Sequence, residues 1–241
     1  MRELYGYARF PLRKTEWPEV KFVIFAQGRS GSTLLRTLLD SHPMIQCDSE
    51  ILFFKMAFPG AFISSQAALS KRPMYGFKVK IYQLTQDQDI RDPKQFMLDL
   101  STQGWQIIYL KRRNILRQAI SSIVAEQRQA YQHRRSEGRL ELGRVMVDGV
   151  DLLGRMEERK GYLAQEEQVL EGLPYFPLVY ERALLTTDNW QTVLDQIFAY
   201  LELPSAPVTT PLVKITPHRL ADLIENYGEV AQVLHEAGYG A

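Results

Sequence analysis

The sequence carries a single cysteine, Cys47. An intramolecular disulfide is thereby excluded, and a lone thiol suits a reducing, cytoplasmic setting. Excess charge is also missing, because 29 lysines and arginines face 28 aspartates and glutamates for a net charge of +1. With so small a net field the chain is not built for DNA or RNA, and any anion must be gripped by a local cluster. Long apolar runs are absent too. No window approaches the ~18 uncharged apolar residues of a transmembrane helix, and the opening Met-Arg-Glu-Leu-Tyr-Gly-Tyr has no apolar core of signal-peptide type. The expectation is a protein with no transmembrane segment. No repeat or low-complexity segment interrupts the chain. What is there is a 241-residue sequence, 45% hydrophobic and 24% charged, an ordinary size for one α/β domain with insertions covering residues 1–241.

From Lys21 to Leu39 a short apolar run meets two glycines and then a helical pattern, which reads as strand, loop, helix. Phe22 to Ala26 is unbroken apolar, as in a strand buried on both faces of a parallel sheet. Leu34, Leu35, Leu38 and Leu39 recur at helical spacing. Between them, Gly28 and Gly31 permit a tight turn and close approach of a ligand. Ser30, Ser32 and Thr33 bring hydroxyls together with the unpaired N–H groups of a helix start. Arg29 adds a full positive charge to the partial charge of the helix dipole. The stretch is a site for an anion.

What the loop lacks narrows the choice of anion. The ATP- and GTP-binding loop needs a lysine for the β- and γ-phosphates and a hydroxyl for magnesium, yet Ser32 stands where that lysine belongs. The magnesium-holding aspartate at the end of a second apolar strand is missing as well. The best such strand, Trp105 to Leu110, ends in Lys111, Arg112 and Arg113, which suit a second phosphate and no metal.

Gln-Gly-Arg-Ser-Gly-Ser-Thr-Leu-Leu resembles the 5′-phosphosulfate loop of sulfotransferases that use 3′-phosphoadenosine 5′-phosphosulfate (PAPS), in the arginine-bearing form of carbohydrate-type and bacterial members. A second family motif pairs an arginine at a strand end with a serine eight positions later, and Arg113 and Ser121 match it. Glu50, 21 residues after Arg29, resembles the glutamate proposed as the base in the bacterial trehalose 2-sulfotransferase group. The resemblance implies a P-loop-like three-layer α/β fold, a central parallel sheet flanked by helices. It implies PAPS as sulfuryl donor with no metal, and a small-molecule or glycan hydroxyl as acceptor. Arg29 and the backbone N–H groups from Ser30 to Thr33 would bind the 5′-phosphosulfate, and Arg113 and Ser121 the 3′-phosphate. Lys214 resembles a late basic residue that closes over the cofactor. The Arg-Lys-Gly loop that cytosolic animal members place on the 3′-phosphate is absent. Two alternatives remain open: a small-molecule kinase using ATP and Mg²⁺, and a nucleotide-binding module without catalysis.

The acid-base groups are less determined. A carboxylate with an ordinary pKa of about 4.3 is a weak base, so Glu50 needs partial burial or the neighbouring Asp48 to raise it, whereas nearby cations act the other way. His42 is the rival base, with a capping role in Ser-His-Pro as its other reading. Lys78 and Lys80 share one face of a strand over Tyr75–Ile81, and either reaches the sulfate or both decorate an edge strand. Lys78 fits the family pattern better and is taken with Glu50 and Arg29 as catalytic. The segment Met44–Glu50 is expected to cross the mouth of the loop. Ile51–Phe62 is read as core or as the wall of an acceptor pocket, with core preferred. Asp92-Pro93 opens a helix that ends before Gly104, and another begins near Arg117. Residues 1–20 form an N-terminal arm and 127–172 a helical insertion, a lid or acceptor-recognition segment, or merely a solvated basic face. Asp188–Leu203 is the clearest amphipathic helix.

Overall fold

A computed structural model describes residues 18–129, 143–213 and 219–239. These form two compact units, the first made of the described residues up to Lys111 with Tyr162–Thr210, the second of Arg112–Gly161 with the residues from Pro211 onward.

The first unit is built on a five-stranded sheet. Strands β1 (Val20–Ala26), β2 (Ile45–Glu50), β3 (Met74–Val79), β4 (Trp105–Lys111) and β5 (Phe176–Val179) lie in the order β2-β3-β1-β4-β5, and every neighbouring pair is parallel. The apolar run of β1 has a direct cause. β1 is central, and its two faces meet two different cores. Val23 and Phe25 join Tyr75, Phe77, Ile107 and Tyr109 on one face, beneath helices α2 (Pro59–Ala68) and α3 (Pro93–Thr102). Phe22, Ile24 and Ala26 join Ile108, Leu110 and Leu178 on the other, beneath helix α1 (Ser32–Asp40) and a later helix over Trp190–Tyr200. From Phe22 to Ala26, where it is covered on both sides, β1 has no position left for a polar side chain.

Local signals account for several boundaries. The Asp92 carboxylate accepts a hydrogen bond from the Gln95 backbone N–H, and Pro93 takes the first turn, as the sequence predicted for α3. Most of Met44–Glu50 is β2, an edge strand. The expectation of edge-strand lysines fails for the same topological reason, because β3 lies between β2 and β1. The amphipathic run after Asp188 is a 3₁₀ turn at Thr187–Asn189 leading into the helix Trp190–Tyr200, shorter than its apolar periodicity suggests. In Ile51–Phe62 the core reading holds for Leu52 and Phe62, while Phe53 is 53% exposed.

The second unit is helical. It holds α4 (Ile115–Gln127), the first part of α5 (Gly149–Leu170), and a helix over Tyr227–Glu236, packed around Ile120, Val124, Leu152, Met156, Ile224 and Val230. α4 begins two residues earlier than predicted, because the Asn114 side chain caps it by accepting from the Arg117 N–H at 2.9 Å. Arg155 grips Glu126 with two hydrogen bonds of 2.7 and 2.8 Å and also bonds Asp151 one turn before it. The last part of α5, from Tyr162, belongs to the first unit, where Val169 and Leu170 enter the core. Among the described residues no helix is long and apolar enough to cross a membrane.

Candidate active site

Parallel strands end together, so the carboxyl ends of β1, β2, β3 and β4 line one edge of the sheet, where open α/β folds bind ligands. Residues Gln27–Gly31 leave β1 at that edge and enter α1. Arg29 has φ 62°, a left-handed conformation that few residues with a Cβ adopt and that is typically maintained at functional sites. Gly31, with φ 91°, occupies the N-cap of α1, and a Cβ there would lie 2.5 Å from the Tyr180 ring. Only glycine meets both demands. As it has no side chain to accept from the first-turn N–H groups, and no acidic residue stands in that turn, the helix start keeps its positive end for another anion. The Ser30 hydroxyl does not face a ligand in this arrangement; it donates to the Gln27 carbonyl at 2.7 Å and closes the loop.

The second half of the site comes from β2 and β3. Cys47 pairs with Gly76, yet Glu50 pairs with Lys78, so three residues of β2 span two of β3. This bulge re-aims every later side chain of β2 and brings Glu50 alongside Lys78. The Lys78 ammonium donates to the Thr33 hydroxyl at 3.0 Å and to Glu50 Oε1 at 3.1 Å, and Lys80 donates to Glu50 Oε2 at 2.8 Å and to the Tyr82 hydroxyl at 2.6 Å. Lys78 is 4% exposed. The loop has no lysine of its own, but a lysine from the neighbouring strand is bonded to the second residue of α1.

Charge in this cluster is tightly coupled. Burial works against ionising Glu50, but the two ammonium groups outweigh it and hold the carboxyl below its ordinary value. Burial lowers Lys78, with Glu50 opposing. For Lys80 burial is outweighed by the hydrogen bonds to Glu50 and Tyr82, which raise it. A Glu50 made more basic by Asp48 is therefore not found; the Asp48 carboxylate instead accepts from the Tyr75 hydroxyl at 2.9 Å. His42, the rival base, is 1% exposed, its Nδ1 accepting from the Met44 N–H and its Nε2 donating to the Pro204 carbonyl, each at 3.1 Å. Both ring nitrogens are occupied in fastening the turn after α1, which is the capping reading.

Among the residues expected to bind the donor, Gly28 to Thr33 are together in the first unit. Arg113 and Ser121 belong to the second, Arg113 exposed in the turn after β4 and Ser121 buried along α4. Lys214 lies outside the described residues. Sequence reasoning missed one group beside the loop. Glu166, on α5, is completely buried and receives hydrogen bonds from the Gln27 side chain at 3.4 Å and the Tyr109 hydroxyl at 3.1 Å. Its neighbours along the helix, Glu167 and Gln168, are exposed, so nothing beside it in the sequence marks it as buried.

No protein-family model matches the chain, and no curated protein matches it by sequence. Solved structures do match. A sulfotransferase from Alicyclobacillus acidocaldarius superposes with a TM-score of 0.53 over 92% of this chain and 96% of that one, at 15% identity. Mouse sulfotransferase SULT7A1, complexed with PAP, gives a TM-score of 0.45 at 13% identity, covering 94% of this chain and 66% of that one. The first of these likenesses defines the fold: a P-loop-like α/β architecture of the sulfotransferase type, with an all-parallel five-stranded sheet between layers of helices.

Proposed function

We propose that the protein is a PAPS-dependent sulfotransferase. In this reading it moves the sulfuryl group of PAPS to a hydroxyl of a carbohydrate, lipid or other small metabolite, and releases adenosine 3′,5′-bisphosphate. The observation that supports the proposal is a helix start free of any side-chain cap, with Arg29 in the left-handed turn that leads into it and Lys78 bonded to the Thr33 hydroxyl. A cation supplied from β3 in place of a loop lysine, with a carboxylate bonded to it, suits a donor whose charge is neutralised by fixed groups.

The chain's own residues divide the work. Arg29 and the N–H groups from Ser30 to Thr33 hold the 5′-phosphosulfate, and Arg113, Ser121 and Lys214 attend the 3′-phosphate and the closing of the site. When the S–O bond to the 5′-phosphate breaks, negative charge gathers on the departing oxygen, and Arg29 and Lys78 stabilise it without reorganising. Glu50 receives the proton of the attacking hydroxyl. Because Lys78 and Lys80 keep it a weak base, it takes that proton late, once bonding to sulfur has made the hydroxyl acidic. Lys80, bonded to both Glu50 and the Tyr82 hydroxyl, holds the carboxylate in place for that transfer. The single, buried cysteine supports a reducing, cytoplasmic setting.

Titration with adenosine 3′,5′-bisphosphate in the presence of a chelator, alongside ATP with Mg²⁺, tests the donor. Metal-independent binding of the bisphosphate is expected, followed by transfer of label from radiolabelled PAPS into an acceptor from a cell extract. Binding of ATP with Mg²⁺ alone would overturn the proposal in favour of phosphoryl transfer.

A further inference from the structure

Glu166 is 0% exposed, a rare state for a glutamate that, among the described residues, is hydrogen-bonded only by neutral groups. The groups that face it are few. The Tyr109 hydroxyl from β4 and the Gln27 side chain from the loop both donate to Oε2, and Oε1 has no hydrogen-bond partner among the described residues. Glu167 beside it is repulsive, and Lys111 at the end of β4 is bonded to Glu167 at 3.4 Å. Tyr175 closes over Tyr109 edge to face. Burial is the dominant influence and pushes Glu166 up to about 8, with the two hydrogen bonds opposing. Burial also raises Tyr109, with Glu166 adding to it, so the phenol stays a donor.

Gln27 links this acid to the anion site. Its side chain bonds Glu166 while its carbonyl accepts the Ser30 hydroxyl at 2.7 Å, so the strained Arg29 is held between two fastened points. A neutral acid can anchor that arrangement. A carboxylate in the same place would set a negative charge beneath a loop that must attract one.

We propose that Glu166 is a positioning residue for the anion loop: as a neutral acid it anchors Gln27 from beneath, and its ionisation weakens the grip on anions. The proposal rests on the function argued above in taking the donor's phosphate as the natural anion. The test measures affinity for adenosine 3′,5′-bisphosphate and, separately, for inorganic sulfate between pH 6.5 and 9.5, in the unmodified protein, Glu166→Gln and Glu166→Leu. The unmodified protein should lose about three- to ten-fold in affinity for both probes through pH 8, beyond the loss seen in Glu166→Gln, whose side chain stays neutral. Glu166→Leu, which gives up the Gln27 bond, should bind several-fold more weakly already at pH 7. The same pH profile in the unmodified protein and Glu166→Gln overturns the inference while leaving the donor assignment intact. A pH-dependent response to sulfate with no bisphosphate binding does the reverse. Should Glu166→Leu not fold, the Gln comparison still decides.

Discussion

Replacing Glu50 by glutamine separates its catalytic role from a structural one, and the geometry sets the magnitudes. The carboxylate neutralises Lys78, only 4% exposed, at 3.1 Å and Lys80 at 2.8 Å. Removing one partner of a fully buried ion pair costs about 3–5 kcal/mol, mostly for the charge left uncompensated. Because the Glu50 side chain is itself 26% exposed, water relieves part of this, and about 2–3 kcal/mol is expected. Part of even that is recovered as Lys78, already lowered by burial, releases its proton. The double variant Glu50→Gln, Lys78→Met should then be less destabilised than its two parents together, by about 1–2 kcal/mol in denaturant unfolding. In turnover with saturating donor, Glu50→Gln should fall about 100-fold or more while adenosine 3′,5′-bisphosphate binds within a few-fold of normal. Near-normal turnover would refute the assignment of Glu50 as proton acceptor. Equal losses in turnover and donor affinity would refute it too, showing that the carboxylate merely positions Lys78.

Gly31→Ala should cost about 3 kcal/mol in thermal or denaturant unfolding and abolish nucleotide binding, since both the left-handed backbone and the Tyr180 ring oppose a Cβ. His42→Ala should lower stability by about 2–4 kcal/mol, through two lost hydrogen bonds and a cavity against Phe198, yet leave turnover of the folded protein within a few-fold; a 100-fold loss would restore His42 as the base. Glu166 is neutral in folded and unfolded chains below about 4.5 and charged in both above about 8, and between these the folded protein binds the extra proton. Stability should therefore decline as pH rises across that window, by at most about 5 kcal/mol at 1.36 kcal/mol per unit, and unfolding curves of Glu166→Gln at several pH values should lack that decline. For Glu50 the sign is opposite: its pairs stabilise fully above the ordinary glutamate range, and that contribution disappears as pH falls below it.

The parts of the site readable in the sequence are those made by neighbours along the chain. Gly28, Arg29 and Gly31 sit between an apolar strand and a helix, and the spacing alone states that a turn there exposes helix-start amides. Asp92 announces its helix in the same way. The parts that escaped depend on pairing across strands. Nothing in Cys-Asp-Ser-Glu marks a bulge, because a bulge is a property of two strands, and without it Glu50 would face away from Lys78. The raised basicity expected of Glu50 failed for the same reason: burial, which would raise its pKa, is outweighed by two lysines 28 and 30 residues away that only the sheet brings near. Glu166 was invisible because its burial is decided by β4 and the loop, not by the exposed residues beside it on α5.

By itself, then, the order of residues determined where strand, loop and helix follow one another, that β1 is covered on both faces, and that a glycine with no side chain to cap the helix stands at the start of α1. These are consequences of local backbone chemistry and of period. Only the tertiary structure decided which charges meet there: Lys78 on Thr33, Glu50 between two lysines, and an acid beneath Gln27. Strand order and register are settled by the packing of two cores against one sheet, and electrostatics at a few ångströms follows from that packing rather than from distance along the chain.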